Sequence, residues 1–166
     1  MIRGPFLSAT CLIFSIAAAH AAELTIAFAD AGPAVTAAST RLGDHLDWGA
    51  AECGEPKYLR NVCVWELGTK FSFTASAMGE ASRALMLVTQ WRKPDLSDPS
   101  ETKAFRLACD ALVAALRPTW SASQVRQFTT RLRGKMRADR SVVDGGIRFS
   151  FYTWPETLTC EAQPDA

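Results

Sequence analysis

Of the five cysteines, Cys11 lies in the N-terminal leader, and the other four, Cys53, Cys63, Cys109 and Cys160, constrain the fold of this chain more than any other feature. In an exported chain an even cysteine set pairs into disulfides, and each pair holds two stretches of backbone within about 6 Å of one another. Four cysteines allow three connectivities. Sequence locality favours Cys53–Cys63, which closes the loop before the first sheet strand, and Cys109–Cys160, which ties a long helix to the C-terminal strand. Loop-closure entropy makes the first worth about 3 and the second about 4 kcal/mol, both as upper values. A redox or zinc role fits poorly. There is no C-x-x-C motif, and the one histidine beyond the leader cannot complete a usual zinc set. No metal and no cofactor are expected.

Pairing of the cysteines presupposes export, for which the N-terminus supplies the signal. Arg3 and the α-amino group form a short positive region, Phe6 to Ala19 is an uncharged apolar run, and Ala19-His20-Ala21 places small residues at the −3 and −1 positions of a cut after Ala21. Residues 1–21 therefore read as a secretory signal peptide and residues 22–166 as one disulfide-stabilised domain. The apolar run falls short of the roughly 20 residues that span a bilayer, so no integral membrane span is expected in the mature chain. Of the 166 residues, 145 remain after the cut, with 17 basic and 17 acidic side chains. That balance argues against nucleic acid as a partner. The chain has 13 Arg to 5 Lys and Asn61 as its one asparagine, a bias expected of a GC-rich bacterial genome. The expected location is periplasmic or secreted.

Hydrophobic periodicity divides the remainder into short elements. Residues 22–33 read as an extended lead-in ended by Gly32-Pro33, and Val35, Ala38, Leu42 and Leu46 recur at helical spacing from Ala34 to Trp48. Residues 49–60 read as loop. Alternation predicts strands at Val62–Leu67 and Lys70–Ser76, joined through Gly68-Thr69 as a type II′ turn, and a third at Arg83–Trp91. Asp98-Pro99-Ser100-Glu101 starts a helix that ends before Pro118. Ser121 and Gln124 make a capping box for another helix with Val125, Phe128, Leu132 and Met136 inward. Asp144-Gly145-Gly146 is a turn leading to a strand at Ile147–Trp154, and Thr157–Glu161 is a last short strand. The order α-βββ-αα-ββ predicts an α+β fold: an antiparallel sheet, built from a three-stranded meander and a C-terminal hairpin, with helices on one face.

Chemistry-bearing constellations are sparse. His45 lies between Asp44 and Asp47, but residues one and two apart do not face each other on a helix, so a solvated helix end is the simpler reading. Ser100 and Lys103 match S-x-x-K at a helix start, without the S-D-N or K-T-G elements that accompany it in penicillin-recognising enzymes. A capped helix explains them as well. The carboxylate pairs Asp95/Asp98 and Glu52/Glu55 have the minimum kit for glycoside hydrolysis but nothing that separates them from surface charge. A small hydrolase using Ser100/Lys103 or His45/Asp44 is thus one alternative.

Residues 22–100 hold 7 basic and 10 acidic side chains, residues 101–166 hold 10 and 7. The basic excess concentrates at Arg126, Arg131, Arg133, Lys135, Arg137 and Arg140, which fill the positions around the third helix that its apolar stripe leaves open, as a solvated face should. Used instead on anionic lipid, Arg131 and Arg137 would make this a peripheral membrane protein, as would a retained N-terminal anchor. All five Trp lie beyond the leader; Trp65, Trp91 and Trp154, on predicted strands, could line a ligand platform or partner surface, but Trp at strand ends in a small two-layer domain is more often core. Arg148, Tyr152 and Trp154 share the sheet face opposite Phe149 and Phe151, and they are the candidate binding residues if the phenylalanines face the helices. The sequence reading is a non-enzymatic, exported binding module, such as an inhibitor or an envelope accessory protein, with a protein or envelope component as partner.

Overall fold

The computed structural model describes residues 24–57, 60–79, 82–134, 139–154 and 156–165. The signal-peptide reading of residues 1–21 falls outside them. A 3-10 turn (Phe28–Asp30) leads into α1 (Ala31–Arg41). Four strands follow: β1 (Glu52–Lys57), β2 (Arg60–Leu67), β3 (Phe71–Ala77) and β4 (Met86–Arg92). Then come α2 (Pro99–Leu116), α3 (Ala122–Arg133), β5 (Arg140–Asp144), β6 (Ile147–Trp154) and β7 (Thr157–Pro164). The fold is α+β. The strands form one antiparallel sheet of seven in the order β1-β2-β3-β4-β7-β6-β5, so the last strand fits between the meander and the hairpin.

The covered face is set by alternation. Trp65, Phe73, Thr89, Cys160 and Phe151 form one row across the sheet, and Phe71, Trp91 and Leu158 form the next. All of these side chains are buried, and all three helices pack on them. Gly32 of α1 sits so close to the Trp65 indole that a Cβ there would come within 2.5 Å of the ring. Phe105 of α2 meets Trp91 and Phe151 at centroid distances of 5.6 and 6.3 Å, and Phe128 of α3 meets Phe149 edge-on at 5.1 Å. Burying aromatic rings in such tilted and edge-on pairs contributes about 0.5–1.5 kcal/mol each beyond their area.

Both cysteine pairs are as expected. Cys53–Cys63 joins residues directly opposite each other on β1 and β2, and Cys109–Cys160 joins the buried face of α2 to β7. The helix starts also follow the sequence. The Asp98 carboxylate accepts from the Ser100 and Glu101 amides at 2.8 and 3.3 Å, with Pro99 in the first turn, and Ser121 with Gln124 closes a reciprocal capping box.

The departures are at the margins. The sheet has seven strands rather than five, because the stretch read as loop before Val62 contains β1 and the stretch Arg140–Asp144 is β5. Both are edge strands, paired on one side only. One holds Cys, Gly and Pro, which break the strand pattern in the sequence, and the other is exposed along most of its length, so it shows no alternating burial. Helix α1 stops at Arg41; Leu46 and Trp48 are buried from an irregular segment beyond it. Gly32 and Pro33 lie inside α1 instead of ending the lead-in, where Pro is tolerated because first-turn amides have no helical partner. The lead-in itself runs antiparallel to residues 82–84, which are thereby diverted from the start of β4: Leu24 N–H donates to Ala84 C=O and Ala84 N–H to Ile26 C=O, each at 2.9 Å. The β2–β3 turn has three residues, Gly68 to Lys70, not two.

Candidate functional site

Phe149 and Phe151 are fully buried beneath the helices, and Arg148, Tyr152 and Trp154 stand on the opposite face of β6. Among the described residues no helix packs on that face. A carboxylate diagonally across, on β7 or just beyond its end, supplies each of the first two with a partner that sequence reasoning missed. The Arg148 guanidinium donates through Nε and Nη2 to Asp165 Oδ1 at 3.0 and 2.6 Å. The Tyr152 phenol donates to Glu161 Oε2 at 2.9 Å. Burial, and then the Glu161 carboxylate, raise the phenol well above its ordinary range, so it stays a protonated donor at physiological pH. Glu161 could have been found from the outward phase of β7, which it shares with Thr159 and Gln163, once the pairing of β7 with β6 was known.

Trp154 stands edge-on to Tyr152 at 6.4 Å and is 69% exposed, the most exposed large apolar side chain among the described residues. Toward the middle of the sheet the same face carries small side chains. Ser72 lies in register between Glu66 and Gln90, and Thr159 between Gln90 and Tyr152. An ion pair from Glu66 to Arg92, at 2.6 Å, flanks them. A cleft of about 280 Å³ opens beside Tyr152, lined by Asp139, Arg140, Ser141, Ser150 and Phe151.

The two pairs weighed for a hydrolase, Ser100/Lys103 and His45/Asp44, are not assembled. The His45 ring contacts the Thr40 hydroxyl through Nδ1 at 3.3 Å, whereas Asp44 accepts from the His45 backbone N–H at 2.9 Å. That bond and the nearby Lys103 ammonium hold the Asp44 carboxyl below its usual range. The Ser100 hydroxyl donates to Asp98 at 2.7 Å, and Lys103 reaches Asp44 at 3.2 Å. Ser100 and Lys103 thus have separate partners, and the Asp44 carboxylate does not orient the imidazole. A cleft of about 370 Å³ lies beside them, walled by Gly43, Lys103, Arg106, Asp110 and Arg126.

The basic helix divides. Arg131 is exposed on α3, and Arg137 lies outside the described residues. Arg133, read from the sequence as part of a solvated face, is buried. Its Nη1 bonds Asp110 at 3.1 Å and the Arg106 carbonyl at 3.0 Å, while Thr129 donates its hydroxyl to the same Asp110 oxygen. Burial pulls the guanidinium below its usual range, with Asp110 acting against that pull. The correction has a simple cause: the partner that draws Arg133 inward is 23 residues away on α2.

Among the described residues no three His, Cys, Asp or Glu side chains cluster as a metal site, and no helix is long and apolar enough to cross a membrane. No protein-family model, curated protein or solved structure matches the chain.

Proposed function

We propose that this chain is an exported, non-enzymatic binding module, an inhibitor or envelope accessory protein, that engages a protein or envelope component with the open face of its sheet. The observation that carries the reading is the group at the end of β6: Trp154 exposed, Tyr152 beside it, and Arg148 held by Asp165. Tyr, Trp and Arg dominate the energetics of protein interfaces, and here two of the three are already fixed by neighbours, so little side-chain freedom is lost on binding. Export is supported by the N-terminal leader and by two disulfides, which persist in oxidising compartments.

The test is site-specific photo-crosslinking in producing cells, with the crosslinker placed at position 154, at position 148, and at position 131 on the helix side. The expected result is one discrete adduct from 154 and 148 and none from 131. No adduct from the open face, or equal labelling from all three positions, overturns the reading. Intact mass before and after reduction tests export, the expected species having lost residues 1–21 and carrying two disulfides.

A further inference from the structure

The two edges of the sheet are built differently. β1 has a register shift between Gly54 and Lys57, contains Pro56 and is stapled to β2 by Cys53–Cys63. Proline and bulges are common devices by which an edge refuses a further strand. β5 has neither. Arg140 through Asp144 pairs with β6 at every residue without a shift, and Arg140, Ser141, Val142 and Val143 are all exposed. Val143 alone is 50% exposed.

The direction of the free backbone groups follows from the turn. Gly145 and Gly146, with φ of 51° and 74°, close the β5–β6 hairpin in two residues, as a type I′ turn requires. The flanking pair Asp144–Ile147 is therefore hydrogen-bonded, and so are Val142–Phe149 and Arg140–Phe151. That leaves the N–H and C=O groups of Ser141 and Val143 pointing off the edge of the sheet.

We propose that β5 is a self-association strand, two copies of the chain pairing antiparallel about a twofold axis at Val142 so that their sheets join edge to edge. Of the twofold registers that set outward groups opposite outward groups, the one centred on Val142 overlaps the whole strand. It places Ser141 opposite Val143 of the second copy, which satisfies all four outward groups of each strand. It also places Arg140 opposite Asp144 of the second copy, and the symmetry repeats that opposite-charge pair. Asp144 gives Oδ2 to Arg117 Nε at 2.7 Å and has no donor on Oδ1 among the described residues, and among them Arg140 makes a single long hydrogen bond, to the Arg131 carbonyl at 3.4 Å. The sequence Arg-Ser-Val-Val-Asp is thus complementary to itself read backwards, in charge as well as in backbone. Such pairing is independent of what the open face binds.

Sedimentation velocity across a concentration series, on protein purified as the cell processes it and with disulfides intact, tests the proposal. A reversible monomer–dimer equilibrium is expected. Val143→Pro removes an outward N–H at an edge position that tolerates proline, and it should abolish dimers while leaving the circular dichroism spectrum unchanged. Arg140→Asp sets one carboxylate against another, that of Asp144, at both symmetric places and should weaken association about tenfold or more. The cross-check is Asp144→Arg. Neither charge variant should self-associate, yet the two mixed should form a heterodimer, which a misfolded variant could not do. A parent that stays monomeric at every concentration overturns the proposal, including when its β5 edge captures an extended peptide instead. A dimer indifferent to Val143→Pro and Arg140→Asp overturns it as well.

Discussion

The two faces of the sheet are made from the same strands, offset by one residue, and they differ in almost everything else. Phe149 and Phe151 lie under α2 and α3 in contact with other rings, whereas the neighbouring Arg148 and Tyr152 bond across to carboxylates at Asp165 and Glu161. The aromatic core lies on one face, whereas at β6 the other face carries hydrogen-bonded polar side chains and the exposed Trp154. A one-residue slip of β6 would exchange the two sets, so the aromatic row also fixes the register that presents Tyr152 and Trp154.

The largest effect that can break this contrast is at Phe151. Phe151→Ala should cost about 3–5 kcal/mol in denaturant unfolding, through lost burial and the cavity left behind. Tyr152→Ala, at the next residue, loses one hydrogen bond and the packing of a half-buried ring and should cost about 1–2 kcal/mol. Equal costs would mean that the open face is a second core. The disulfides come next. Replacing Cys109 and Cys160 together should cost up to about 4 kcal/mol, and replacing Cys53 and Cys63 up to about 3 kcal/mol, from loop lengths alone. If the edge pair proves the more costly, the layer-to-layer tie is not what its loop length implies.

Arginine provides the third comparison. Arg133→Ala leaves Asp110 buried without its cation and should cost about 3 kcal/mol, whereas Arg131→Ala and Arg148→Ala, both exposed, should each stay within about 1 kcal/mol. Chemical denaturation of the three variants reads the difference directly.

Acid gives the smallest effect. Hydrogen bonds from Ser97 to Asp95, from Ser100 and Glu101 to Asp98, and from His45 and Lys103 to Asp44 hold these carboxyls below the ordinary aspartate value of 3.8. Their contribution is therefore fully present above that value and is lost as pH falls through and below it. A melting series from pH 6 down to pH 2 should decline below about pH 4. Asp98→Asn, which keeps a cap but cannot titrate, should flatten part of that decline.

The sequence was most legible where burial is one-sided. Ile147, Phe149 and Phe151 alternate with Arg148, Ser150 and Tyr152 because one face of β6 meets the helices, and Asp98 and Ser121 announce helix starts because amides there need acceptors. It was least legible at β1 and β5, where a strand exists through pairing with a neighbour instead of through its own pattern. The candidate surface shows the same division. The outward phase of Arg148, Tyr152 and Trp154 followed from Phe149 and Phe151. Their partners Asp165 and Glu161 belong to a segment whose place beside β6 no local signal specified. Arg133 misled for the same reason, since helical spacing ranks it with its exposed neighbours and only Asp110 on another helix draws it in.

The position of β7 has a kinetic consequence. The seventh strand in chain order is an interior strand, flanked by β4 and β6, and it carries the second half of the Cys109–Cys160 bond. Until residues 157–164 emerge, the meander and the hairpin are separate pieces, each with a raw edge and a half-covered row of aromatic rings. The sheet therefore closes only when β7 joins them, and whatever compartment receives β7 decides whether the Cys109–Cys160 bond can form.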